Sequence, residues 1–136
     1  MSTREILFRG KRIDNGEWVE GYYCTNPEWD RKAHGEHHWI ISCKNAIRYE
    51  VDPTTIGQYT GLNDKNGKKI FEGNIVDCWS EGVNAQGTVQ QRRDGLWIIY
   101  PAWQKHIMWG LCPDEYSNTT VEVIGNTHDN PELIKT

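Results

Sequence analysis

The sequence predicts a mainly β protein built from many short antiparallel strands. Turn-forming pairs recur between short runs rich in Trp, Tyr, Val and Ile, a pattern typical of strands joined by tight turns; these pairs are Asn15-Gly16, Asn66-Gly67, Asp94-Gly95 and Gly125-Asn126. The chain also contains 13 glycines. Before residue 101, no stretch of helical length carries apolar residues at helical periodicity. Strands are therefore expected over most of the chain.

The apolar runs indicate where the strands lie. At Asn66-Gly67 we expect a tight type I′ hairpin turn, because its two central residues have positive φ, which Asn and Gly tolerate at low cost. A second hairpin is expected around Asp94-Gly95. The expected strands are Glu5–Arg9, Trp18–Cys24, His38–Cys43, Ile47–Val51, Ile56–Thr60, Lys69–Phe71, Ile75–Trp79, Gly87–Arg92, Leu96–Tyr100 and Thr120–Ile124.

Helical structure is expected only near the end of the chain. The segment Ala102–Leu111 favours one or two helical turns with Trp103 and Ile107 on one face. Asn130 precedes Pro131 and Glu132, which places a capping side chain, a proline and an acid where a helix begins. A short C-terminal helical turn is therefore predicted.

The strand pattern fits a single domain over residues 1–136, either undivided or made of two subdomains. Asp52-Pro53 interrupts the N-terminal pattern, because proline cannot donate to a strand ladder. The two subdomains would be residues 1–52 and 53–136. From Gly57 onward the sequence shows strands, a turn and a long polar connection from Ser80 to Gln86, followed by a hairpin. This succession is similar to an SH3-like small barrel, an analogy of fold that implies no activity.

Composition excludes several classes of protein. The net charge is −4, and a mildly acidic chain is a poor candidate for sequence-independent DNA binding. No apolar run reaches the length of about 20 residues that a membrane span needs. The cysteines are far apart and lack Cys-x-x-Cys spacing, which favours a reduced, cytoplasmic chain; they are Cys24, Cys43, Cys78 and Cys112.

The seven tryptophans are the most unusual feature of the composition. Large aromatic residues inside strands usually serve packing in the core or on a sheet face, which is the expectation for Trp18, Trp39, Trp79 and Trp97. Aromatic residues on loops are enriched at binding sites. The candidate contact residues are therefore those in segments predicted to be irregular, which are Trp29, Trp103, Trp109 and Tyr116.

The segment around His34, His37 and His38 is the one candidate metal site. With Glu36 between them, these imidazoles could supply ligands to Zn²⁺ or Ni²⁺, but the sequence marks no second, distant ligand pair. A solvated, disordered loop is the favoured interpretation, so neither a metal nor another cofactor is expected. No nucleophile elbow or phosphate-binding loop is present either, and we assign no catalytic residue.

Three long motifs lie at residues 4–22, 56–76 and 121–133, and include Arg4 to Val19, Gln58 to Val76 and Val121 to Leu133. Together they resemble the YopX family of phage and prophage proteins. The resemblance implies a mostly β protein encoded by a phage or prophage and made in the bacterial cytosol. It implies no particular activity. In the family pattern the residue after Glu72-Gly73 is commonly Asp; the uncharged Asn74 here favours a role in a turn over chemistry.

The leading functional hypothesis is a non-enzymatic binding or assembly protein. Its partner would be a host or phage macromolecule, or a second copy of the chain in a homo-oligomer. The alternative is a nucleic-acid-binding accessory protein, based on Arg92 and Arg93 beside aromatic-rich strands, because bases stack on aromatic rings while cations follow the phosphates. A metal-dependent enzyme built on the histidine segment is not favoured.

Overall fold

The computed structural model describes residues 5–80, 83–100, 109–111, 113–115 and 117–133. The chain divides into two compact units, an N-terminal unit, Met1–Gln58, and a C-terminal unit, Tyr59–Thr136. No helix among the described residues is long and apolar enough to cross a membrane.

The N-terminal unit is an antiparallel sheet with one short helix. Its strands pair in the order β4-β3-β2-β1, and the other edge of β1 pairs with Gly57 and Gln58, the first residues of β5. A 3-10 turn, Pro53–Thr55, precedes β5. The elements are β1 (Phe8–Lys11), β2 (Trp18–Thr25), α1 (Glu28–His34), β3 (His38–Ser42), β4 (Arg48–Glu50) and β5 (Gly57–Asn63).

One face of this sheet carries the core of the N-terminal unit. Val19, Ile40 and Val51 are buried there, and complete burial of a side chain of this size contributes about 2 kcal/mol. Close approach of the strands requires glycine at position 21, because a Cβ there would collide with the carbonyl oxygen of Ile41 on β3. Half-buried apolar and aromatic side chains complete the cluster; they are Phe8, Tyr23, Tyr49 and Ile56.

The C-terminal unit contains the rest of β5 and a five-stranded antiparallel sheet with the order β10-β9-β8-β7-β11. Strand β6 pairs with β5 through Tyr59 opposite Phe71 and Asn63 opposite Lys69. A 3-10 turn, Pro131–Leu133, forms the predicted C-terminal turn. The remaining elements are β6 (Lys69–Phe71), β7 (Asn74–Ser80), β8 (Val83–Gln91), β9 (Trp97–Tyr100), β10 (Trp109–Gly110) and β11 (Glu122–Asn126).

The core of the C-terminal unit lies among these strands. Burial raises the pKa of the Cys78 thiol to about 11, with a smaller contribution from neighbouring Asp77, so this cysteine is a packing residue. Trp97 is also part of this core. The buried cluster comprises Ile70, Val76, Cys78, Ala85, Val89, Trp97, Ile99, Leu111 and Val121.

The mainly β prediction is confirmed, and each expected strand has a counterpart. The prediction of a long polar connection from Ser80 to Gln86 is wrong, because β7 continues to Ser80 and β8 already begins at Val83. The closed SH3-like barrel stays a prediction, because the strands described in the C-terminal unit pair in the order β10-β9-β8-β7-β11, which does not by itself close a barrel. Of the helical turns expected over Ala102–Leu111, residues 102–108 lie outside the described part, and Trp109–Gly110 is a strand.

The hairpin at Asn66-Gly67 is present, but its predicted type I′ turn is wrong. Gly67 has φ +82° while Asn66 does not have positive φ. Gly67 donates its N–H to the Asp64 carbonyl at 3.0 Å, and Asp64 donates to the Lys68 carbonyl at 2.8 Å, which is a three-residue loop that ends in a left-handed glycine. The loop before Leu96 repeats this pattern.

The helix α1 was not predicted. Pro27 precedes it, acidic residues occupy its first turn and basic residues its last, and Gly35 ends it with φ +80°. It has only 7 residues and none of them is buried, so its own backbone bonds are insufficient to hold it. Side-chain bonds from Asn26 hold it instead, because the Asn26 amide donates to Asp30 at 2.9 Å and to the Gly35 carbonyl at 2.7 Å.

Candidate binding surface

The face of the N-terminal sheet opposite Val19 and Ile40 is the strongest candidate for a binding surface, and we call it the outer face. Side chains alternate across a strand, and the register of the paired strands fixes which of them share this side. None of its residues is buried, and Tyr22 is 58% exposed. The outer face comprises Arg9, Lys11, Trp18, Glu20, Tyr22, Cys24, Trp39, Ile41, Arg48 and Glu50.

Cations lie over both tryptophans of the outer face. The Arg9 guanidinium is 4.3 Å from the ring centroid of Trp18, and the Lys11 ammonium is 5.7 Å from the same ring. The Arg48 guanidinium is 4.4 Å from the ring centroid of Trp39. Such pairs contribute about 0.5 to 1 kcal/mol at exposed sites. They place positive charge over each indole ring.

His37 adds a further ring beside Trp39. The two rings stack at 5.8 Å with an interplanar angle of 17°. The His37 Nδ1 is 2.8 Å from Glu50 Oε2, and its Nε2 is 2.9 Å from the His34 carbonyl oxygen. Both partners are acceptors, so the protonated imidazole, which donates from both nitrogens, fits this geometry best. Hydrogen bonding to Glu50, followed by the His34 carbonyl, raises the pKa of His37.

Each histidine of the segment 34–38 is bound to its own carboxylate. His34 Nδ1 lies 3.0 Å from Asp30, and His38 Nε2 lies 3.2 Å from Glu36, while the other nitrogen of His38 is 2.6 Å from the Tyr23 hydroxyl. The hydrogen bond from Asn26, and then that with His34, lowers the pKa of Asp30. In the described part of the chain, no group of three potential ligands converges on a metal position.

The favoured interpretation of this segment as a disordered loop is therefore wrong. His34 ends α1 and His38 begins β3. Asn26 connects the two elements, because its side-chain oxygen accepts from the His37 N–H at 2.9 Å while its amide holds the helix. The result is an ordered polar network whose basic members face carboxylates.

A shallow pocket of about 210 Å³ opens beside Trp18. Arg12 reaches it, but its guanidinium is bound to Asp14 at 2.6 Å and stacks over the Tyr49 ring at 4.1 Å. The pocket is lined by both positively and negatively charged side chains, so its charge favours no one class of small ligand. The lining residues are Arg12, Glu17, Trp18, Val19, Glu20, Ser42, Lys44, Asn45 and Tyr49.

Of the four predicted contact residues, the structure describes Trp29 in full and the backbone of Trp109. Trp29 lies on α1 rather than on an irregular segment, and it is 74% exposed. Trp103 and Tyr116 lie outside the described residues, and of Trp109 only the backbone, paired with Ile99, is described. The predicted contact surface between residues 103 and 116 therefore stays a prediction.

Sequence reasoning missed the outer face. Trp18 and Trp39 were expected to serve packing, and they do lie on a sheet face, but on its exposed side and beneath cations. The signal that could have found them is alternation along β2, where Trp18 and Tyr22 alternate with Val19 and Tyr23.

The hairpin with Arg92 and Arg93, on which the nucleic-acid hypothesis rested, offers fewer contacts than expected. Arg92 is 3.1 Å from Asp94, which offsets its charge. Trp97, the tryptophan that follows this turn, is only 8% exposed and packs in the core, so it presents no ring for stacking.

The fold and this face together define a mainly β protein with a partly exposed aromatic and cationic sheet surface. Residues 7–135 match the family model described as "YopX protein", and the chain belongs to the YopX family. Among solved structures it is similar to the "Crystal structure of protein EF1440 from Enterococcus faecalis", with 19% sequence identity and a TM-score of 0.46 over 98% of this chain and 100% of that chain. No curated protein matches it.

Residues of the motifs that carried the family resemblance support the backbone. The Asn74 side chain accepts the Phe71 N–H at 2.7 Å, which confirms its predicted role in a turn. The side-chain oxygen of Asn126 accepts from the N–H groups of His128 and Asp129. A Cβ at Gly125 would collide with Asn130. These three residues of the motifs therefore shape turns of the fold.

Proposed function

We propose that this chain is a non-enzymatic binding or assembly module that uses the outer face to hold a macromolecule. The observation that carries the proposal is the pairing of half-buried aromatic rings with cations on the outer face, in Trp18 with Arg9 and in Trp39 with Arg48. Tryptophan, tyrosine and arginine are the residues most enriched where binding energy concentrates at interfaces.

The rest of the proposal follows from the family. We place the chain among phage or prophage proteins that act in the bacterial cytoplasm, on a host or phage macromolecule or on a second copy of the chain. The histidine segment adds a second observation, because His34, His37 and His38 each lie beside a separate carboxylate, that of Asp30, Glu50 and Glu36, instead of converging on one point.

Site-specific photo-crosslinking tests this proposal. A benzophenone amino acid replaces Tyr22, near the middle of the outer face, and in a matched control it replaces Lys32, which is exposed on α1. After irradiation in the bacterial host, we expect one discrete adduct from position 22 and none of the same kind from position 32. An adduct from position 32 alone, or none from either, would refute binding through the outer face.

A further inference from the structure

We propose that His37 is a proton-controlled latch that holds the end of α1 against β4. The helix depends on contacts of this kind, because none of its residues is buried. The ring of His37 bridges the two elements. Its Nε2 is 2.9 Å from the carbonyl oxygen of His34, the last residue of α1, and its Nδ1 is 2.8 Å from Glu50 Oε2 on β4.

Only the protonated ring can make both contacts of the latch. A protonated imidazole donates from both nitrogens, whereas a neutral imidazole has one N–H and one lone pair. The His34 carbonyl and the Glu50 carboxylate are both acceptors. When His37 loses its proton, one of these oxygens faces a nitrogen lone pair and is repelled, so one of the two contacts breaks.

The contact with α1 is the one that breaks. A hydrogen bond to a charged acceptor is stronger than one to a neutral carbonyl, so the remaining proton stays on Nδ1, facing Glu50. The Nε2 lone pair then faces the His34 carbonyl oxygen. The last carbonyls of a helix have no partner within the helix. Loss of the proton therefore releases the end of α1 and leaves the contact with β4 intact.

Asn26 and Arg31 continue to hold α1 after the proton leaves. The Asn26 amide donates to Asp30 and to the Gly35 carbonyl, and the Arg31 guanidinium donates to the Asn26 carbonyl at 2.7 Å. The latch therefore changes how often the helix opens and does not detach it outright.

The charges around the ring favour its proton. Hydrogen bonding to Glu50, and then to the His34 carbonyl, raises the pKa of His37 above its ordinary value of 6.5, towards neutral pH. On β3, the His38 ring is bound instead to Glu36 and the Tyr23 hydroxyl. The latch is closed below this pKa and opens as pH rises through it. The charged side chains near the His37 ring are those of Asp30 on α1, Glu50 on β4 and, across Trp39, Arg48 on β4.

The same proton sets the charge at one end of the outer face. Glu50 and Trp39 belong to that face, and His37 stacks on the Trp39 ring at 5.8 Å. The protonated imidazole offsets the charge of the Glu50 carboxylate, and the neutral ring does not. A rise in pH therefore loosens α1 and makes this end of the outer face more negative.

Amide hydrogen exchange of the purified full chain tests the latch. Exchange is measured at about pH 6 and about pH 8 and compared with that of an unstructured chain at the same pH, which gives the protection of each amide. We expect the protection of the Arg31 and Gly35 amides, which donate within the helix segment, to fall about 5-fold, the worth of one ordinary hydrogen bond. The amides of β3 should change less. Equal losses in α1 and β3 would mean that the proton stabilises the whole sheet, and would overturn the latch.

The tautomer of the His37 ring is measured on the same chain, without any substitution. Imidazole nitrogen chemical shifts distinguish the protonated ring from its two neutral tautomers. We expect the Nδ1–H tautomer at high pH, because it keeps the contact with Glu50. The Nε2–H tautomer would mean that the contact with α1 survives, which contradicts the latch.

Two variants separate His37 from its neighbour. In His37→Gln the pH-dependent change in α1 protection should vanish, because glutamine does not titrate. His34→Gln is the matched control, since it removes an exposed titrating side chain but keeps the backbone carbonyl that His37 contacts. The change should persist there, and the reverse pattern would refute the latch. Circular dichroism checks that both variants are folded. None of these measurements uses crosslinking from position 22, so the latch and the proposed function fail separately.

Discussion

The Asp64 carboxylate accepts a hydrogen bond from the Val123 N–H at 3.1 Å, although the two residues are 59 positions apart in the chain. Its other oxygen accepts from the N–H groups of Asn66 and Lys68, each at 2.9 Å. Asp64 is only 1% exposed. A buried carboxylate is stable only with such partners, so one side chain both shapes the β5–β6 turn and fixes β11 beside it.

Asp64→Ala should therefore destabilise the protein by about 3 kcal/mol, because three backbone N–H groups lose a charged acceptor in a buried site. Urea unfolding followed by tryptophan fluorescence measures this change. The control is Asp94→Ala, since Asp94 is exposed and accepts from Leu96 at a similar turn. A loss no larger than that of the control would show that the buried bonds of Asp64 are unimportant.

Much of the fold could be predicted because alternation and turn residues act locally. The strand Lys69–Phe71 was placed at its observed bounds. The turn type at Asn66 was wrong because it depends on the Asp64 side chain and on its distant bond to Val123. The helix α1 was missed because it buries no apolar face and so leaves no hydrophobic pattern in the sequence. Hydrogen bonds from the Asn26 side chain stabilise it instead.

Gly21→Ala should disrupt the pairing of β2 with β3. The added Cβ would collide with the backbone carbonyl of Ile41, which cannot move without breaking the ladder. We expect a loss of about 3 kcal/mol or more in the free energy of unfolding, by analogy with overpacking of a core. Thermal and urea unfolding give the value.

Gly16→Ala is the comparison for that experiment. Gly16 has φ +74°, and a Cβ added there would have no atom within 4 Å, so alanine meets conformational strain alone. That strain costs about 1 kcal/mol. If both variants lost the same stability, the close approach of β2 to β3 would not be what requires glycine at position 21.

The candidate surface was harder to predict than the fold. The sequence shows that Trp18 and Tyr22 share one side of a strand, but not which side is covered. Nor does it place Arg48 over Trp39, because that contact depends on the pairing of β3 with β4. Only the solvent exposure seen in the structure separates these tryptophans from Trp97, which lies in an equally regular strand and is buried.

The protonation of His37 should make stability depend on pH. Its pKa is raised in the folded chain, so the folded state binds this proton more tightly than the unfolded state does. The stabilisation is fully present below the unfolded value of about 6.5 and is lost as pH rises through the folded pKa. The charged side chains near this ring are those of Glu50, Asp30 and, across Trp39, Arg48, and the His34 carbonyl accepts from its Nε2.

The measurement compares His37→Gln with the parent chain by urea unfolding at about pH 6 and about pH 8.5. We expect the variant to be less stable at the lower pH and the difference to shrink at the higher pH. His34→Gln is the control, because the His34 side chain is 71% exposed. A difference that stays constant with pH would mean that His37 stabilises the fold without its charge.

A double-mutant cycle on Arg48 and Trp39 should show that the two side chains stabilise each other before any partner binds. The guanidinium lies 4.4 Å from the ring centroid, which predicts a coupling free energy of about 0.5 to 1 kcal/mol. The variants are Arg48→Gln, Trp39→Leu and the double change, each measured by urea unfolding. Arg92→Gln with Trp39→Leu is the control pair, because Arg92 is held by Asp94 and its effect should add independently. A coupling of zero between Arg48 and Trp39 would mean that the cation does not hold the indole in place, and the outer face would then have no preformed ring at Trp39 for a ligand to meet.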